Sequence, residues 1–556
     1  MKDVEFRRQF MIAYHDVFGS PNDIDPTALA ADLPKRAALE TIAYLLLRVT
    51  NIKESDSEFH RSNLSGWMMQ LEETEKKLVF EFINTEDIFN TTDFIFTDRR
   101  ACLRLMQYIL IGGRNDDNEL TKQDWGTLLK SLLYCNHLEL LRQKQVFYWD
   151  GKGGTAGYLN RILPFKISSI ELERRKNYQI QLMKVYYFFK FCERDTEYQT
   201  YLETFLKSKG LAHYGQYLLS VIEPYLTMMT HQEISCIMQV EPGNKNTIDF
   251  FDSFLINGEK IDSSNDFLGM REFPLFKGAP GRYAFLYNNF FIDKLYQGLL
   301  FDFVKALQSV GVTAMDYRKL KTDMGNRFSE KVLFYTIMEK CFSRFIYKKL
   351  NGTELKAHLK SGEPDYYIRS GAKIFLFEFK DYTISGDIKH TVDGEEVQKK
   401  IMERIGGAVN QLSQSLLILF EGTYHNLAID NFDLRNVMLY PILVHTDISL
   451  EADGINYLLN KSLNKLIEEK KLPKHRIKEL VVINLDTFIA FQDLFSGDRI
   501  KLATCINNYL EYTAKGGERN RLYPFDEFFK HYVVTKKHNL LAAPEDFKRI
   551  LQSVSV

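Results

Sequence analysis

A mostly α-helical N-terminal domain followed by an α/β domain is the fold class that this sequence predicts, and three observations carry it. Apolar residues recur at three and four positions through the first two-fifths of the chain, short apolar runs alternate with helical periodicity after about residue 326, and two of those runs are separated by little more than Ser370-Gly371. A helix face repeats every 3.6 residues and a strand face every two, so the two kinds of segment are distinguishable by spacing. Strands alternating with helices imply a sheet covered by helices. At 556 residues the chain exceeds what one core supports. The expected division is a helical recognition or regulatory domain over 1–234, a small mixed connector over 235–320, and the α/β domain with C-terminal helices over 321–556.

Taken in order, Ala38-Leu39, Ile42-Ala43 and Leu45-Leu46 form one apolar stripe, and Trp125, Leu128-Leu129 and Leu132-Leu133 another. Ser20-Pro21-Asn22-Asp23 and Gly112-Gly113 punctuate the helices as turns. Gln145 to Trp149 reads as a short strand before the Asp150-Gly151-Lys152-Gly153-Gly154 turn, which lacks the spacing of a phosphate loop because Gly153 follows Lys152. Pro242-Gly243, Asn257-Gly258 and Gly278-Ala279-Pro280-Gly281 predict hairpins, and Phe290 to Val310 a long helix. Beyond the turn at Thr322–Asn326 come a helix over Phe328–Ile346 and strands at Tyr366–Arg369 and Lys373–Phe379. A helix through Gly407–Phe420, a strand at Val437–Val444, a helix over about 451–470 and a strand at Leu480–Leu485 complete the order.

Composition narrows the function. Lys and Arg number 72 against 73 Asp and Glu, so a nucleic-acid surface must be a local patch rather than a global basic field. With 45% hydrophobic and 26% charged residues, disorder is not expected. Six cysteines without a C-x-x-C pair read as reduced core residues, and 12 histidines without H-E-x-x-H argue against a zinc protease or an HNH-type finger. No apolar leader or span-length apolar run occurs, so a cytoplasmic protein without a membrane partner is expected.

The chemistry is concentrated in Pro364-Asp365 and, after Ile374-Phe375-Leu376-Phe377, in Glu378-Phe379-Lys380. On a strand Glu378 and Lys380 share one face and Phe377 and Phe379 the other. Two acids and a lysine at one sheet edge can hold a divalent metal against a phosphodiester, because hard cations take carboxylate oxygens and acidify bound water. The competing structural reading is a surface hairpin with an exposed Glu378–Lys380 ion pair.

Asp365, Glu378-x-Lys380, the upstream Glu330 in Gly325-Asn326-Arg327-Phe328-Ser329-Glu330 and the downstream Gln411 together resemble the PD-(D/E)-x-K nuclease superfamily over roughly 326–485. The resemblance implies a restriction-endonuclease-like α-β-β-β-α-β core and a metal-dependent endonuclease. Asp365 and Glu378 would ligate Mg²⁺ or Mn²⁺, with Glu330 binding it directly or through water. Lys380 would orient water or stabilise developing charge, and Gln411 would seat the phosphate or fix the lysine. Asp381 falls on the opposite strand face. DNA is the expected substrate ahead of RNA, with a protein activator or a second copy of the chain as further partners. An anti-phage defence or restriction effector is the implied biological role, and a catalytically inactive nucleic-acid- or protein-binding module is the alternative.

Arg99-Arg100, Arg174-Arg175-Lys176, Arg519-Asn520-Arg521 and Lys536-Lys537-His538 are basic clusters that read either as phosphate contacts or as solvated faces. His390 reads as a solvated loop histidine.

Overall fold

The computed structural model describes residues 10–22, 24–51, 56–87, 93–147, 153–230, 235–256, 261, 267–312, 315–540 and 542–554. Two compact units emerge, neither contiguous in sequence. The first comprises Met1–Tyr148, Leu172–Tyr178 and Glu203–Ala306, and the second Trp149–Glu171, Gln179–Leu202 and Leu307–Val556. The expected consecutive boundaries at 234 and 320 are therefore replaced. Helical segments of the N-terminal half fold with the C-terminal sheet, and the expected connector folds with the N-terminal helices.

In the first unit the helices Lys35–Asn51, Arg99–Gly112 and Lys122–Phe147 bury the predicted stripes, including Leu39, Ile42, Leu46, Leu128 and Leu132. Strands β1 (Phe10–Met11) and β2 (Phe94–Ile95) pair in parallel, and the buried Asn136 amide donates to the carbonyls of Ile12 at 2.7 Å and Phe96 at 2.8 Å beside them. Strands β3 (Ile237–Gln239), β4 (Leu275–Ala279) and β5 (Arg282–Phe285) make an antiparallel sheet in the order β3-β5-β4. The β4–β5 hairpin falls at the predicted Gly278–Gly281 turn, whereas Asp23 and the Asn257-Gly258 turn lie outside the described residues.

Two expectations fail here. Gln145 to Phe147 close the Lys122–Phe147 helix instead of opening a strand, and Tyr148 to Lys152 lie outside the described residues. The long helix expected from Phe290 to Val310 is broken into Asn288–Ile292, a 3-10 turn Asp293–Leu295 and Gln297–Ser309. At the break the Lys294 carbonyl leaves the helical ladder to accept the Tyr217 hydroxyl at 2.6 Å, while the buried Lys294 ammonium pairs with Asp302 at 3.0 Å.

The second unit is built on a five-stranded mixed sheet in the order β10-β9-β8-β7-β6. Its strands are β6 (Lys348–Asn351), β7 (Tyr366–Ser370), β8 (Lys373–Lys380), β9 (Met438–His445) and β10 (Val481–Asn484). The pairs β6–β7 and β7–β8 are antiparallel, and β8–β9 and β9–β10 are parallel. A two-residue loop joins β7 to β8, and its first residue, Gly371, has φ +59, which a tight hairpin requires there and which only glycine adopts freely. The parallel β8–β9 pair instead requires a crossover, supplied by the helix Gly394–Phe420 with Asp393 capping its N-terminus.

One face of β8 is aromatic. Phe379 stacks on Phe334 at 4.8 Å and 11°, and Phe377 meets Phe342 at 6.4 Å and Phe488 at 6.3 Å. The helix predicted over Phe328–Ile346 is a π-helical segment Gly325–Phe334 followed by an α-helix that ends at Cys341. The edge strand β6 has no sequence signal because Lys348, Lys349 and Asn351 lack apolar alternation, and charge is what keeps such an edge from pairing with another chain. All six cysteines are buried and unbridged. Among the described residues no helix is long and apolar enough to cross a membrane.

Candidate functional site

Asp365 immediately precedes β7, and Glu378 and Lys380 close β8. Because Tyr366 pairs with Phe377 in antiparallel register, the next step along both strands sets Asp365 opposite Glu378. The Asp365 side chain continues the ladder itself, its Oδ2 accepting the Phe379 backbone N–H at 2.7 Å. Lys380 Nζ donates to Glu378 Oε1 at 2.6 Å. Glu378 is wholly buried, and its Oε2 has no hydrogen-bond partner. The pair is therefore not the exposed surface bridge of the structural reading.

Burial pushes the Glu378 carboxyl up to about 8, the nearby Asp365 charge adds to this, and Lys380 opposes it. Burial likewise pushes Asp365 up to about 6, with Glu330 adding and Lys380 opposing. For Lys380 burial acts to lower the pKa, but Glu378 and Asp365 outweigh it and the net shift is upward. Two carboxyls that resist ionisation and one firmly protonated ammonium thus lie together where β7 opens and β8 closes.

Glu330 comes from the π-helical segment, and its Oε1 accepts the Tyr335 hydroxyl at 2.9 Å. Its charge is felt by both Asp365 and Glu378. Gly352 holds the other side of this arrangement. Its N–H donates to the Asp365 carbonyl at 2.8 Å, and a Cβ there would lie 3.0 Å from Tyr335 Oη and 3.3 Å from Asp365 Cα. Neither Tyr335 nor Gly352 was legible as a site residue, because neither belongs to an acidic or basic pattern. His445, beside Lys380 in the parallel register and fully buried, was signalled only as a lone polar residue ending an apolar run.

Asp381 serves the scaffold. Its Oδ1 accepts Lys321 Nζ at 2.6 Å and the Thr446 hydroxyl at 2.5 Å, and its Oδ2 accepts the Ser329 hydroxyl at 2.6 Å. Burial acts to raise its pKa, but Lys321 and the hydroxyl donors hold it below the ordinary carboxylate value. The end of β8 is thereby bolted to the π-helical segment and to the turn after β9.

Among the described residues Gln411 makes no side-chain hydrogen bond to this cluster, and its exposure marks its place. It lies on the exposed stripe of the Gly394–Phe420 helix with Arg404 and Gly407, while Ile405, Ala408, Val409 and Leu412 face inward. The basic clusters divide in the same way. Arg100 is buried 3.5 Å from the wholly buried Glu139, Arg99 donates to the Glu173 carbonyl, and Lys176 is buried against Asp293. Arg519, Arg521, Lys536, Lys537 and His390 are exposed.

Among the described residues no group of three or more His, Cys, Asp or Glu is disposed to hold a metal ion. Asp365 and Glu378 alone do fit a divalent cation. They lie opposite each other on adjacent strands, the Asp365 charge raises the cost of charging Glu378, and Glu378 Oε2 is an orphaned buried acceptor. No family model, curated protein or solved structure compared with the chain matches it.

Proposed function

We propose that the chain is a metal-dependent endonuclease that hydrolyses phosphodiester bonds, with DNA ahead of RNA as substrate. The observation that carries this reading is Asp365 set opposite the wholly buried Glu378, with Lys380 hydrogen-bonded to Glu378. Its setting supports the same reading: the helical segment bearing Glu330, the hairpin, and a crossover helix to a parallel strand follow the order that the nuclease resemblance implies.

Asp365 and Glu378 would hold Mg²⁺ or Mn²⁺, with Glu330 reaching it directly or through water. When bound, the metal supplies positive charge to the phosphate and lowers the pKa of water. The chain's own contribution is electrostatic and positional. Lys380 keeps its proton and sets a fixed positive charge beside the acids, where negative charge builds on the phosphate. Burial of Glu378 excludes bulk water from that charge and strengthens its effect. The Phe379 N–H fixes the direction of Asp365.

The test is incubation of purified protein with linear, circular and single-stranded DNA and with RNA, with and without Mg²⁺, beside Lys380→Ala. Cleavage that needs both the metal and Lys380 is the expected result. Metal-independent cleavage, or equal rates in a folded Lys380→Ala variant, would sink the assignment. Tight binding without cleavage would instead identify a non-catalytic nucleic-acid-binding module. Service as a prokaryotic defence or restriction effector belongs to the same proposal and rests on analogy of arrangement.

A further inference from the structure

We infer that Tyr335 is a positioning residue for Glu330, and that the π-helical segment is the device that brings the two side chains together. The inference rests on the metal-dependent reading of the site. In an α-helix of 3.6 residues per turn, positions five apart point about 140° away from each other, so a glutamate and a tyrosine at that spacing do not meet. In a π-turn the hydrogen bonds run from residue i to i+5 and widen the turn, which stacks such positions one above the other. The backbone does this here: the Tyr335 N–H donates to the Glu330 carbonyl, and the Tyr335 hydroxyl donates to Glu330 Oε1 at 2.9 Å. Main chain and side chain thus join the same two residues twice.

Tyr335 is also tied to Asp365. Its ring lies 5.9 Å from that of Tyr366, the residue after Asp365. Gly352 packs its bare Cα between Tyr335 Oη and the Asp365 backbone. The phenol that holds the acid on the helical segment therefore packs beside the strand residue that follows the acid on the sheet. It fixes Glu330 Oε1 and leaves Oε2 outside that hydrogen bond. An unheld glutamate would sample several rotamers and lose entropy on meeting a cation, whereas a held one has lost it already.

The experiment is calorimetric titration of the full chain with MnCl₂ alone, for wild type, Tyr335→Phe, Glu330→Gln and the double variant. Thermal melts serve as the check on folding. Tyr335→Phe keeps the ring and its contacts and removes only the hydroxyl. We expect Mn²⁺ affinity to fall about fivefold to tenfold in Tyr335→Phe and at least as far in Glu330→Gln, with no further loss in the double variant. An unchanged affinity in either single variant, or losses that add in the double variant, would overturn the positioning role while leaving the metal site standing. Absence of Mn²⁺ binding in the wild type would overturn the metal-dependent reading itself. Should Tyr335→Phe fail to fold, Glu330→Gln alone decides, because an affinity equal to wild type there refutes the inference.

Discussion

Replacing Glu378 by Gln should make the protein more stable at pH 8 and leave it nearly unchanged at pH 5. The folded carboxyl sits at about 8 against an ordinary 4.5, with burial as the main cause. For an acid shifted upward the sign is clear. Below about pH 4.5 both states are protonated and nothing is lost. Between 4.5 and 8 the unfolded chain ionises while the folded one does not, so stability falls as pH rises; above about 8 the loss is constant. At about 1.4 kcal/mol per pH unit the full span is about 5 kcal/mol. Gln removes that slope while its amide oxygen still offers Lys380 an acceptor in place of Oε1 at 2.6 Å, an offset of about 1 kcal/mol for the weakened hydrogen bond. The net expectation is a gain of about 3 kcal/mol at pH 8 in metal-free buffer. Urea denaturation of both proteins at pH 5 and pH 8 reads this directly from the midpoints. A variant less stable than wild type at pH 8, or a difference independent of pH, would refute the claim that Glu378 is held neutral by burial.

Metal binding should run the other way: the thermal shift produced by saturating Mg²⁺ should grow from pH 6 to pH 8, as Asp365 and Glu378 ionise, and should shrink in Asp365→Asn. Differential scanning fluorimetry across that range would show it, and a shift that is flat with pH argues against these two ligands. Gly352→Ala should weaken Mn²⁺ binding by about tenfold and destabilise by about 1–3 kcal/mol, because its Cβ must push on Asp365 Cα or on Tyr335 Oη. Calorimetry and urea melts check the two effects separately. Asp381→Ala should cost about 3–5 kcal/mol by removing the buried carboxylate that accepts from Lys321, Ser329 and Thr446, and its midpoint in urea should fall accordingly.

The sheet of the second unit was legible because β7 to β10 are buried on apolar runs whose length and alternation no helix reproduces. That Asp365, Glu378 and Lys380 come together was legible for a related reason, since strand alternation and a short hairpin fix which residues meet. Other parts were hidden by physics that a local window does not contain. The edge strand β6 carries polar residues on both faces. The broken helix near Asp293 answers to Tyr217, far away in sequence. Gln411 was legible only by residue type; helical phase sets it on the exposed stripe of its helix, beside the buried Leu412 and Ser413. The Tyr335–Glu330 contact depends on a wider turn than periodicity arguments assume.

The interleaved segments of the two units have a consequence for how the chain is made and dissected. The polypeptide passes from one unit to the other five times, at 148/149, 171/172, 178/179, 202/203 and 306/307. During synthesis the helices over 154–171 and 179–202 therefore emerge long before the sheet they fold with, and must wait for it. No single cut yields a self-sufficient half. A fragment beginning at 321 omits part of the second unit's own core, and silence from such a truncation would report on folding rather than on chemistry.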